Sequence, residues 1–273
     1  MKRRMAMFLA AALLFAASCA AKPSAETETT ATPEVSAAPT PTASPTPTPE
    51  MIPFEIQRTL YQETYAEDGT LLVQMESWQP VFAEDSAAAR RMNAVFEEER
   101  NSGWKLEDFD WNVEEYNRRE GAVYESIRVG LVPGRLQNCE LTYARNNILS
   151  FRLYLYVEGV GARGFYSETY GHTFNVETGE ELALRDVLMI DESNAGDILA
   201  EEILKVYEFP GNQYDDETVW IEEIKKLSTL DQVFWLEEDG VHVYYGGQFV
   251  DRYGDRAVVI PYARTDLIRE AFQ

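Results

Sequence analysis

Two cysteines and two histidines are all that this chain of 273 residues offers of the side chains most used in redox, nucleophilic and metal chemistry. Cys19 closes an N-terminal leader, so Cys139 stands alone in the remainder. An exported chain built this way has no internal disulfide and must fold by core packing. Cys139 sits in the strand-like run "LQNCELTYA" and reads as an inert buried thiol. The chain has no Gly-x-Ser-x-Gly, His-Glu-x-x-His, Ser-x-x-Lys or phosphate-loop motif, which removes the familiar routes to hydrolysis and nucleotide binding. Basic residues are also scarce: 24 Lys and Arg face 47 Asp and Glu, for a net charge of −23. Lys2, Arg3 and Arg4 lie within the first eighteen residues, which hold no acid, so the chain from residue 19 onward carries −26. Such a surface repels phosphate backbones and anionic lipid heads and attracts basic proteins or cations.

The one long apolar run, Met5–Ala17, comes after that basic head and is too short to span a bilayer. Residues 1–18 therefore read as a secretory signal peptide. Its end, "AASC", places small residues before Cys19 like a bacterial lipobox, with Ala16 where Leu is usual. Cys19 is the expected lipidation site, and the lipid the only membrane contact. The alternative is an ordinary signal peptide cut near Ala17 or Ser18. Residues 20–50 are Ala, Thr, Pro and Glu without periodicity, which cannot bury a core. At ~3.1 Å per residue this tether would reach on the order of 90 Å. The expected location is the extracellular face of the cell membrane.

From residue 51 the pattern changes. "FEIQRTLYQETYAEDGTLLVQMESWQPVF" alternates on both sides of Asp68-Gly69, a hairpin signal. "DSAAARRMNAVFEEERNSGW" predicts a helix capped by Asp85 or Ser86, with Ala89, Met92, Val95 and Phe96 on one face. Strands are expected at "AVYESIRVGLV", "QNCELTYARN" and "ILSFRLYLYVEG", then at "ETYGHTFNVE" answered by "EELALRDVL" across Thr178-Gly179. Helices are expected at "NAGDILAEEILKVYEF" and "DDETVWIEEIKKL". A second Asp-Gly hairpin falls at residues 239–240, with the strand "RAVVIPYA" and the short helix "RTDLIREAF" after it. The expected class is α+β, with antiparallel sheets, helices on one face, and two similarly ordered strand–helix–strand halves at 51–148 and 149–273.

"VQMESWQPVFAEDSAAARRMNAVFEE" resembles the first half of the paired extracellular modules of RsiV-type anti-sigma factors and PdaC-type polysaccharide deacetylases, through Pro80, Phe82, Asn93 and Phe96. "SFRLYLYVEGVGARGFYSETYGHTFNVETGEELALRDVL" is similar to the second half, through Thr178, Gly179, Leu182, Leu184 and Asp186. The closing segment resembles the last strands through Gly240, Val259, Ile260, Pro261 and Tyr262. The loop departs from the family, reading Ala162-Arg163-Gly164 where a His-Pro pair is common. The resemblance implies an extracellular module that, in RsiV-type proteins, binds lysozyme. The sequence shows no transmembrane helix, anti-sigma segment or deacetylase domain beside it.

Candidate sites are set by residue type. Gly159, Gly161 and Gly164 flank a loop whose neighbours Arg163, Phe165, Tyr166, Tyr170 and His172 are interface-forming types. Either this loop binds a ligand, or Phe165 and Tyr166 fold back onto the core. His172 and His242 lie on strands and read as packed or surface residues. Glu97–Glu99, Asp108 with Asp110, and Asp215–Glu217 lack the spacing of a calcium loop, so no metal and no cofactor is expected. The expected function is non-catalytic binding of lysozyme, another basic extracellular protein or a cell-wall glycan, as sensor or inhibitor. Nucleic acid is not an expected partner. The alternative is an enzyme acting on wall polysaccharide through paired carboxylates.

Overall fold

A computed structural model describes residues 52–83, 85–158, 165–207, 216–245 and 256–273. The class is α+β. Five strands form one sheet in chain order: β1 (Phe54–Tyr65), β2 (Leu71–Phe82), β3 (Gly134–Arg145), β4 (Ile148–Glu158) and β5 (Phe165–Asn175). Three more, β6 (Phe234–Leu236), β7 (Gly240–Tyr245) and β8 (Arg256–Pro261), form an antiparallel sheet. The helices are α1 (Ala87–Ser102), α2 (Asp110–Arg118), α3 (Gly121–Arg128), the single turn α4 (Leu184–Val187), α5 (Glu192–Leu204) and α6 (Glu217–Leu227). Among the described residues, no helix is long and apolar enough to cross a membrane.

The hairpins predicted at Asp68-Gly69 and Asp239-Gly240 form as β1–β2 and β6–β7. Helix α1 starts where expected, with Ser86 Oγ accepting from Ala89 N at 3.0 Å. Its face of Ala89, Met92 and Phe96 is buried against Phe82, Phe151, Leu153 and Phe174 of the sheet. Asp216 caps α6 by accepting from Thr218 N at 2.8 Å.

Three expectations are corrected, besides the helix at "RTDLIREAF", which forms only turns, a bridge from Leu188 to Ile268 and a 3-10 turn at Glu270–Phe272. Strands β2 and β3 pair in parallel, Gln74 opposite Gly134 through Ser77 opposite Gln137, so the sheet is mixed. The chain between them forms α1 to α3, a crossover that brings β3 in along the direction of β2. Second, "AVYESIRVGLV" is helix α3 for most of its length. Val123 and Ile127, four apart, are buried together with Phe109, and Tyr116 of α2 meets Tyr124 at 5.4 Å. That spacing fits a helix as well as a strand, and packing on α2 decides it. Third, "EELALRDVL" answers β5 only through a bridge from Phe174 to Glu181 and then coils into α4. The Asp186 carboxylate accepts from Ala183 N at 2.9 Å and starts that turn, which buries Leu184 and Val187.

The first half of strand β4 is covered on both faces. Phe151, Leu153, Leu155 and Val157 turn to the helices, while Ile148 and Ser150 turn to the second sheet and its helices α5 and α6. The sheets lock at two points. Ser150 Oγ accepts from Leu236 N at 2.9 Å and meets Thr173 Oγ1 at 2.7 Å. At Gly171 a β-carbon would lie 1.9 Å from Phe234 O, so only glycine lets β6 pass this close to β5. Gly171→Ala is expected to lower stability by about 1–3 kcal/mol through forced separation of the sheets. Urea unfolding, read as a fall in the midpoint, checks this.

Candidate functional site

The two sheets diverge beyond that contact and leave a cleft of about 530 Å³. Asn138, Glu140, Arg152, Tyr154 and Thr169 form one wall, from β3, β4 and β5. Trp235, His242, Tyr244, Ala257 and Val259 form the other, from the second sheet. The size falls within the ordinary range for ligand sites, and the lining mixes aromatic rings with charged groups.

Arg152 ties the walls together. It faces Glu140 on β3, and Nη2 donates to Glu140 Oε2 at 2.6 Å. Nη1 donates across the cleft to Glu237 Oε1 at 3.2 Å, and the guanidinium carbon lies 5.6 Å from the centre of the Trp235 ring. Trp235 Nε1 donates to the same Glu237 oxygen at 2.7 Å. The Trp235 ring stacks on His242 with centroids 5.6 Å apart and planes inclined by 28°. His242 bonds Asp239 Oδ1 through Nε2 at 2.7 Å, and its Nδ1 lies 3.8 Å from Glu237 Oε1. The hairpin sets these spacings. Glu237 N donates to Gly240 O at 3.0 Å, and a β-carbon on Gly240 would meet Ile260 O at 2.3 Å, so glycine lets β8 close against the turn.

The hydrogen bond from His242 holds the Asp239 carboxyl below its ordinary pKa of 3.8. Burial pushes the Cys139 thiol up to about 12, with the Glu99 and Glu140 charges acting in the same direction.

The loop residues singled out from sequence fall elsewhere. Arg163 and Cys19 lie outside the described residues, and Phe165 opens β5 opposite Glu158. Tyr166 is exposed and Tyr170 is half-buried among α1, α2 and the sheet, and both hydroxyls donate to Glu168. Burial, ahead of that hydrogen bond, raises the Tyr170 pKa. His172 packs between Phe96 and Phe174, with Nδ1 against Glu181 Oε1 at 2.6 Å. So Tyr166 and Tyr170 share a carboxylate, while His172 is pinned separately by Glu181. Alternation along β5 turns Tyr170 and His172 toward α1, away from the cleft.

Sequence pattern alone does not single out Glu140, Arg152, Trp235, Glu237 or Asp239. A signal exists: Arg152 interrupts the apolar run "ILSFRLYLYVEG", and a charge inside such a strand implies a partner on its own face. The acids near Glu97 also part company. Glu99 accepts from Gln137 at 2.7 Å and from Gln79 at 3.0 Å beneath α1, while Asp108 accepts from Lys105 N at 2.8 Å.

No family model matches the chain, and no curated protein matches it. Solved structures similar to the chain include two of the same family. A DUF3298-family protein from Bacteroides fragilis has a TM-score of 0.49 at 14% identity, over 80% of this chain and 93% of that one. A DUF3298-family protein from Pseudomonas aeruginosa has a TM-score of 0.47 at 14% identity, over 82% of this chain and 97% of that one.

Two outcomes are expected at this site. In a Cys19→Ser chain, Cys139 should react slowly with a thiol reagent at about pH 8, since its thiolate is scarce there, and fast once the protein is unfolded. Comparing the two rates checks this. The Asp239 pKa is lower folded than unfolded, so its contribution is fully present above the unfolded value and is lost as pH falls through the folded one. His242→Gln should reduce that acid-side loss, read from urea midpoints across acidic pH.

Proposed function

We propose that this chain is a cell-surface lipoprotein whose folded part, outside the membrane, works by binding and not by catalysis. Its partner is a basic extracellular protein, with lysozyme the first candidate, or a cell-wall glycan. It acts as sensor or inhibitor. The observation that carries this reading is the cleft itself: the exposed ring of Tyr154 beside the buried rings of Trp235 and Tyr244, with the exposed carboxylates of Glu140 and Asp239 near them. Aromatic rings supply contact area, and peripheral carboxylates receive Lys and Arg side chains. The net charge of −23 adds long-range attraction for such a partner. The exposed Tyr166 at the start of β5 is a further contact in this reading.

The enzyme reading has less support. Glu140 and Glu237 are both bound by Arg152, so the guanidinium fills the space between them where a glycosidic bond would have to lie.

Calorimetric titration of the full chain with lysozyme at low salt tests the first candidate. Heat of binding is expected, with affinity falling as salt rises and falling further in Glu140→Lys and Asp239→Lys chains through a slower association rate. No heat at low salt would remove lysozyme. Binding unchanged in both charge reversals would remove the cleft as the contact.

A further inference from the structure

The end of the β6–β7 hairpin carries a donor set that goes beyond the binding role, although Asp239 belongs to both. Glu237, Asp239 and His242 each offer one ligand atom, and the three atoms lie within 4.8 Å of one another. We propose that this hairpin binds a divalent transition-metal ion of the zinc class.

The donors are one imidazole and two carboxylates. Calcium and magnesium sites are built from oxygen, whereas imidazole suits zinc and its neighbours. Three protein ligands with the remaining position left to water is the open form of zinc coordination. The local charge asks for a dication. Glu140, Glu237 and Asp239 against Arg152 leave two negative charges beside the His242 ring, and a divalent ion cancels them.

Two of the three ligands are oriented before any ion arrives. Glu237 Oε1 is held by Trp235 Nε1 at 2.7 Å and Arg152 Nη1 at 3.2 Å, which leaves Oε2 for coordination. The His242 ring is held flat against Trp235, with its side chain only 12% exposed. With Nε2 on the metal, its Nδ1 faces Glu237 Oε1 3.8 Å away, beyond hydrogen-bond reach until Glu237 moves in toward the ion. The bonds from Trp235 and Arg152 to Glu237 are of the outer kind by which metal-binding carboxylates are fixed. The third ligand, Asp239, is 65% exposed on the turn and can close on the ion. Zinc bonds of about 2.0–2.2 Å place donor atoms roughly 3.3 Å apart. The ion therefore replaces the proton between Asp239 and His242, spreading their 2.7 Å contact while Glu237 draws in.

The test uses the full chain, stripped with a chelator and titrated with zinc chloride by calorimetry. Millimolar magnesium is present to occupy loose acidic sites, and no protein partner is needed. One saturable site is expected, with affinity at least about tenfold weaker in Asp239→Asn, Glu237→Gln and His242→Ala chains. Glu98→Gln, on the outer face of α1, should leave it unchanged. Asp239 is exposed on a turn, so that variant keeps the fold and remains decisive if the others do not. Cobalt bound in place of zinc should quench Trp235, read as fluorescence lost in the parent chain and not in Trp235→Phe. The absence of saturable zinc binding below about 100 µM, or equal binding by the parent and Asp239→Asn chains, overturns the proposal and leaves Asp239–His242 as a hydrogen bond alone. Failure here would not affect the lysozyme titration, which is run without metal.

Discussion

The double burial of β4 is the constraint on which the rest depends. A strand with one wet face tolerates slippage in part of its pattern, but the first half of β4 has no wet face: Leu149, Phe151 and Leu153 belong to the core under α1, while Ile148 belongs to the core of the second sheet. Shifting its register by one residue would exchange the two sets and drive Arg152 into a ring of phenylalanines. Register along β4 therefore fixes three things together: where α1 lies, where β6 crosses, and where Arg152 emerges between the sheets. The cleft is a product of this arrangement. It opens where β4 leaves the contact at Ser150 and Gly171, and Arg152, which bridges its walls, is the next outward-turned residue on the strand.

A second constraint works beneath α1. Arg135 is 2% exposed and donates to Gln137 Oε1 at 2.9 Å and to the carbonyls of Arg100 and Trp104 at 3.3 and 3.4 Å. Gln137 in turn donates to both oxygens of Glu99 at 2.7 Å. Burial lowers the Arg135 pKa, against the pull of the Glu99 charge. A buried cation and a carboxylate linked through an amide contribute little net energy against a good apolar core, but they penalise every other placement of the helix. They join the parallel strand pair to the C-terminal turns of α1, where an apolar contact alone would allow sliding.

Legibility in the sequence tracks locality. The Asp68-Gly69 and Asp239-Gly240 hairpins and the Ser86 cap each depend on residues within a few positions, and each forms where the pattern places it. The α3 segment misleads because Val123 and Ile127 suit either period, and only packing on α2 chooses. The parallel β2–β3 pair joins residues 60 apart, Ser77 and Gln137, with no local mark. The cleft is the least legible part. Its central ion pair joins Arg152 to Glu237, 85 positions along the chain. The aromatic-rich stretch from Phe165 to His172 stands out by composition, yet Tyr170 and His172 spend their rings on the core.

Strand β1 stands at the opposite extreme from β4. It is an edge strand with no fully buried residue, held by its ladder to β2 and by Phe54, whose ring meets Phe82 and Phe151 at 5.3 Å each. It is also the strand through which the N-terminal segment joins the fold. Tension arriving from that side is felt first at Phe54 opposite Phe82, and a pull away from the sheet opens the ladder one rung after another instead of shearing all rungs at once. The molecule is thus graded mechanically along its sheet: a margin held by a single ladder lies at one edge, and a strand packed from both sides lies three places in, so loss of β1 would leave the body around β4 whole.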